Sequence, residues 1–97
     1  MKRFNLSSEA AQDVEAVWQY IANDSTGAAR RVRLRLYRAF QEPARRPRLG
    51  HRREDLTNKP LLFWPVGSYL VVYYAGVRPI QIVRVLHGAR DISALLQ

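Results

Sequence analysis

Residues 60–77 (PLLFWPVGSYLVVYYAGV) run for eighteen positions without a charged side chain, and what this stretch can become limits the whole fold. Pro65, Gly67, Ser68 and Gly76 divide it into pieces of strand length, too short to cross a bilayer. With "IQIVRVLH" behind it, the aromatic and β-branched content predicts three strands, 61–66, 69–75 and 80–87, joined by turns at "GS" and "GVRP". They are expected to form an antiparallel meander. The last strand is apolar at both parities, with Ile80, Ile82 and Leu86 on one face and Val83 and Val85 on the other, as a central strand requires. Arg84 falls between Ile82 and Leu86, and His87 follows Val85 on the other face. A guanidinium in such a strand must be paired or reach solvent, and Asp91 and Asp55 are the expected carboxylates.

The N-terminal half has a different period. "KRFNL" (2–6) alternates like a short strand. Ser7 or Ser8 then offers an N-cap, and Glu9 puts an acid in the first turn, where the helix dipole favours it. Ala10, Val14, Val17, Trp18 and Ile21 recur at helical steps of three and four until "NDSTG" (23–27) interrupts them. A second helix is expected from about residue 28 to 42, with Ala29, Val32, Leu36, Ala39 and Phe40 inward and Pro43 as its stop. Residues 43–60, with their prolines and charges, read as a long connector of the kind that is usually functional or mobile. "RDISALLQ" closes the chain, where Asp91 or Ser93 can cap a half-helix. The expected architecture is therefore α+β, in the order β-α-α-β-β-β plus a short C-terminal helix, with a helical hairpin against a small antiparallel sheet. At 97 residues this is a single domain, 1–97, burying roughly 65% of its unfolded surface.

Charge is distributed unevenly. Residues 1–24 hold four acids, whereas residues 25–53 hold ten arginines against Glu42 alone. Arg31, Arg35 and Arg38 fall at i, i+4 and i+7 along one side of the second helix, with Arg30 and Arg33 beside them. Like charges this close cost stability unless something acidic answers them, so a partner surface and a solvated helix face are the two readings. Fourteen of the sixteen basic residues are arginine, which suits fork-like contacts to carboxylates or phosphates.

The absence of cysteine removes thiol catalysis, zinc–thiolate sites and disulfides, and fits a cytoplasmic setting; no apolar signal segment follows Met1. Two histidines without a carboxylate cluster fall short of a metal site, and phosphate-loop, dinucleotide and nucleophile-elbow motifs are missing, so no cofactor is expected. What remains is acid–base chemistry on RNA by Arg, His and Tyr, or binding alone. Trp18 is expected in the core. Phe63, Trp64, Tyr69, Tyr73 and Tyr74 exceed what one small sheet face can bury, leaving one or two for stacking or docking.

"LSSEAAQDVEAVWQYIA", the arginine-bearing second helix, a "P.LG...EDL" connector, "FWPVGSYLVVYYA" and "IQIVRVLHGARD" together resemble the ParE branch of the RelE/ParE toxins of type II toxin–antitoxin systems. The likeness covers nearly the whole chain, and "IVRVLHGARD" (82–91) is its most specific piece. It implies a helical hairpin on a curved antiparallel sheet, and a cognate ParD-like antitoxin whose amphipathic C-terminal segment wraps the toxin. Val17, Ile21, Arg31, Val32, Arg35 and Arg38 are the expected antitoxin-binding residues.

RelE-type relatives cleave mRNA on the ribosome with basic residues on the sheet and often a C-terminal tyrosine. Here the arginine position of the "YRLVY"-like strand is Leu70, the preceding strand has Leu61 and Phe63, and no tyrosine follows "HGARD". Phosphodiester cleavage needs several converging groups, and only His87 with Arg84 or Arg90 remains. The resemblance therefore implies the ParE activity, poisoning of DNA gyrase by binding, rather than an enzyme. Arg84, His87, Arg90 and Asp91 are the expected target-binding residues. RelE-type endoribonuclease and a basic nucleic-acid-binding module stand as alternatives. Salt separates the binding classes: direct nucleic-acid affinity falls steeply as salt rises, whereas an antitoxin complex built on buried apolar area persists in the same titration.

Overall fold

The computed structural model describes residues 3–96; Lys2, at the start of the expected first strand, and Gln97 lie outside them. The elements are β1 (Phe4–Leu6), α1 (Ser8–Ala22), α2 (Thr26–Arg45), β2 (Leu62–Val66), β3 (Tyr69–Tyr74), β4 (Ile80–His87) and α3 (Ile92–Leu95). Ser7 caps α1 by accepting from the Ala10 N–H at 3.0 Å, and Ser25 caps α2 by accepting from Ala28 at 3.1 Å. Pro43 does not stop α2. It sits in the last turn with its ring buried, and the Arg46 N–H still reaches the Glu42 carbonyl at 2.9 Å. The bond that its own nitrogen cannot make is a smaller loss in the last turn than in a helix interior.

The sheet order is β1-β4-β3-β2. β2, β3 and β4 form the expected antiparallel meander, turning at Gly67, whose φ of +58° suits the first loop residue of a two-residue hairpin. β1 corrects the all-antiparallel expectation. It pairs parallel to β4, Phe4 opposite Ile80 and Leu6 opposite Ile82, so the sheet is mixed. The long path from β1 to β4 makes this possible, since parallel neighbours require a crossover.

A β-bulge changes the faces of β4. Val72 lies opposite Arg84 but Tyr73 lies opposite Ile82, so Val83 is the extra residue. Ile80, Ile82 and Val85 consequently share one core with Ala10, Val14, Leu36, Phe40, Val71 and Tyr73, under the helical hairpin. Val83 and Leu86 belong to a second core on the other face, with Leu61, Phe63, Val72, Ile92 and Leu96, under the connector and α3. The simple alternation expected for β4 fails at this point, because one added residue flips everything beyond it. Both faces of the sheet are thus covered.

Trp18 is half-buried rather than core, with the Arg33 guanidinium 4.9 Å above its ring. Phe63 and Tyr73 are buried, whereas Trp64, Tyr69 and Tyr74 are partly exposed. The most exposed aromatic lies elsewhere, on α1: Tyr20 is 80% accessible. No helix among the described residues is long and apolar enough to cross a membrane.

The connector is held rather than loose. His51 forms an isolated antiparallel bridge to Phe63, a pairing its polar sequence did not suggest. The buried Tyr73 hydroxyl accepts from the Gly50 N–H at 2.7 Å and donates to the Pro47 carbonyl at 2.9 Å. Gly50 is required here, since a Cβ would stand 2.8 Å from the Tyr73 ring and 2.9 Å from the Phe63 carbonyl oxygen. Tyr73→Phe, which orphans both buried backbone groups, is expected to lower stability by about 2 kcal/mol in urea unfolding. Burial also raises the Tyr73 pKa above its usual 10.0, so its contribution is whole below that pH and declines as pH rises through the folded value. The gap between wild type and Tyr73→Phe should therefore narrow in strongly alkaline buffer; a constant gap would contradict this account.

Candidate functional site

β1 covers the outer edge of β4 only as far as Ile82. Beyond that, side chains of α1 take over. The Ser7 N–H donates to the Ile82 carbonyl at 2.9 Å, and Ser7 Oγ donates to the Val83 carbonyl at 2.7 Å. Asp13 Oδ2 accepts from the Val85 N–H at 2.9 Å. The same carboxylate takes Arg84 in a two-pronged pair, Nε at 2.7 Å and Nη2 at 2.9 Å. Arg84 Nη1 reaches the Leu95 carbonyl at 3.4 Å, which ties α1, β4 and α3 together.

The partner of Arg84 is therefore Asp13. Asp55 is taken by Arg53 at 2.8 Å, and Asp91 caps α3 by accepting from Ala94. The two side chains of the pair are only 20% and 13% accessible, and the bond to Asp13 is the main cause that raises the Arg84 pKa.

Where this covered edge ends, a groove of about 380 Å³ opens between α1 and the ends of β3 and β4. Ala16, Val17 and Tyr20 line it from the helix, Tyr69, Val85 and His87 from the sheet, and Asp13 and Arg90 complete it. The rings of Tyr69 and His87 meet edge to face, 5.5 Å between centroids. His87 Nδ1 accepts from the Ala89 N–H at 3.1 Å, which leaves Nε2 as the proton-bearing nitrogen of the neutral ring.

Tyr69 also borders a second recess, about 240 Å³, with Val32, Arg35, Leu36, Val66 and Gly67. A third adjoins it through Arg35, Val66 and Gly67, and adds Arg38 and Trp64. One surface thus runs from α1, around the β2–β3 turn, onto α2. Arg33 pairs with Glu15 at 2.9 Å, but Arg30, Arg31, Arg35 and Arg38 have no carboxylate within 4 Å among the described residues.

The structure brings Val17, His87 and Arg90 into the first recess, Val32 and Arg35 into the second, and Arg35 and Arg38 into the third. Arg31 is exposed on α2, and Ile21 is half-buried outside the three recesses. Arg84 and Asp91 are engaged in framework bonds. Tyr69 is one of the five aromatics of which one or two were expected to be left for docking, whereas Tyr20 was not singled out; an aromatic one helical turn beyond Val17 was the available signal for it. Among the described residues no group of three or more His, Asp or Glu side chains is placed to hold a metal ion.

This architecture is that of the RelE/ParE superfamily. The family model described as ParE toxin of type II toxin–antitoxin system, parDE, matches residues 4–92, and the chain belongs to that family. Among solved structures, one described as a chromosomal ParDE TA system from P. aeruginosa has the same fold, with a TM-score of 0.73 at 14% identity over 87% of this chain and 92% of that one. None of the curated proteins matches the sequence.

Asp13→Ala leaves a mostly buried guanidinium and the Val85 N–H without their acceptor, and is expected to cost about 3 kcal/mol in urea unfolding. Asp13→Ala combined with Arg84→Met should recover part of that loss, because no orphaned charge then remains. Strict additivity of the two substitutions would show that the pair is not coupled.

Proposed function

We propose that the chain is the toxin of a ParDE-like pair, that it arrests growth by binding DNA gyrase and holding it in its DNA-cleaved state, and that a ParD-like antitoxin neutralises it. One observation carries the reading. Val17, expected to hold the antitoxin, shares a single groove with His87 and Arg90, expected to meet the target. An antitoxin segment seated there covers the target-binding groups directly.

The chemistry of that segment follows from the surface. Apolar side chains at helical spacing fit the walls made by Val17, Tyr20, Tyr69 and Val32, with Ile21 extending the α1 side. Carboxylates on its other side answer Arg31, Arg35 and Arg38, which steers encounter and fixes register more than it adds affinity. On the target side, Arg90 and His87 make the contacts. Arg84 and Asp91 act through position, the first by anchoring the strand that presents His87, the second by capping α3.

RelE-type mRNA cleavage is the second reading, favoured by Tyr69, His87 and Arg90 lining one groove. The deciding experiment is gyrase supercoiling of a relaxed plasmid, followed by detergent and protease to release trapped breaks. Dose-dependent loss of supercoiling with linear plasmid is expected, restored by antitoxin, and Arg90→Ala should weaken it roughly tenfold, the loss of one charged contact. Intact supercoiling at saturating folded protein would overturn the gyrase reading, and ribosome-dependent mRNA cleavage would then be assayed.

A further inference from the structure

A second basic site lies at the other end of the sheet. The connector after α2 and the β3–β4 turn together form a recess of about 450 Å³ lined by Arg46, Pro47, Arg48, Leu49 and Arg78. We propose that this three-arginine recess is a sequence-independent binding site for the phosphate backbone of duplex DNA.

The site is built before any ligand arrives. Tyr73 holds the Pro47 carbonyl from within the core, so the backbone between Arg46 and Arg48 is fixed. Arg78 is fixed as well. Its Nη1 donates to the carbonyls of Ala75, at 2.7 Å, and Val77, at 3.1 Å, which leaves Nε and Nη2, the pair that grips a phosphate side by side. Arg48 makes no hydrogen bond or ion pair among the described residues, and Arg46 has only Glu42 at 3.7 Å. No carboxylate lines the recess. The C-terminal end of α2 adds the negative end of a helix dipole, which favours keeping cations there and offsets part of their mutual repulsion.

Two features select duplex DNA from other polyanions. The recess has no aromatic lining, so it offers no platform for stacking unpaired bases, which is how single strands are held. A duplex carries the denser row of phosphates, and releases more counterions for each one neutralised. An acidic antitoxin segment is better served elsewhere. The apolar groove beside His87 lies a full β4 length away, roughly 23 Å at the usual rise per strand residue.

The inference rests on the arginines and their geometry, not on the gyrase reading, and its test needs neither gyrase nor antitoxin. The full-length chain is titrated against a fluorescent duplex of mixed sequence, roughly 20 base pairs long, between about 50 and 200 mM salt. Three phosphates neutralised give a log–log slope of about −2.7, a roughly 40-fold loss over that range. Arg48→Ala should reduce the slope to about −1.8, a roughly 12-fold loss, and Arg48→Ala with Arg78→Ala to about −0.9. Lys59→Ala, an exposed cation outside the recess, should leave the slope unchanged, and Arg31→Ala with Arg38→Ala supplies the comparison on the α2 face.

Arg78 also braces its turn, so the slope of Arg48→Ala alone is decisive if the double variant melts early. No binding at the lowest salt, equal or tighter binding of the matching single strand, or a slope that responds to the α2 pair and not to Arg48 would each overturn the proposal. Displacement by polyglutamate as readily as by unlabelled duplex would instead assign the recess to an acidic protein segment.

Discussion

Everything on the functional side of this protein depends on how one strand edge is satisfied. β4 is paired from Gln81 to His87 on the β3 side, apart from the bulged Val83, but β1 is three residues long and leaves the far half of the other edge bare. An unpaired edge in a partly buried position leaves backbone groups without partners. α1 supplies the missing partners from its own side chains: Ser7 takes the Val83 carbonyl and Asp13 takes the Val85 N–H. The helix is thereby fixed against the strand at the depth where Val17 and Tyr20 come to face Val85 and His87. Arg84 completes the bond pattern, and its charge, which would be costly in an apolar strand, is matched by the carboxylate already required for the edge.

The bulge at Val83 is the second part of the same device. Without it, Val85 and Leu86 would exchange faces, and Val85 would be lost from the groove side. With it, Val85 joins the helical side and forms part of the groove, while Leu86 seats the connector and α3. The groove, its arginine flank and the distant basic recess are consequences of this layering. α2 carries Arg31, Arg35 and Arg38 on the side that its buried Ala29, Leu36 and Phe40 leave outward, and the Tyr73 hydroxyl, reaching out of the core, positions the connector arginines.

Local periodicity made the element order readable, along with the caps, most of the helical core positions and the central role of β4. Periodicity has no access to what is decided between distant segments. The Asp13–Arg84 pair spans 71 positions, and the bulge exists only once β3 and β4 are in register, so Arg84 was grouped with Ile82, from which the bulge separates it, and offered the wrong carboxylates. The parallel placement of β1 likewise depends on the crossover made by the helices. Arginine spacing on α2 correctly marked a cationic face. Which apolar residues lie beside it could be seen only in three dimensions, and this is why Val17 and Val32 line recesses whereas Ile21 does not. Trp18 looked like a core residue from spacing alone, but the Arg33 guanidinium above its ring gives it a half-open position.

The parallel pairing of β1 with β4 joins the first described strand to the last one. Chains dominated by such distant pairings form them late, after the entropy of closing the intervening loop has been met. During synthesis, β1 and the helical hairpin are made before Ile80, Gln81 and Ile82 exist to pair with them. The strand that carries Val85 and His87 into the groove is the last of the sheet to arrive. The groove therefore exists only once the far end of the chain has folded back onto its start, so that no fragment lacking β4 can present it.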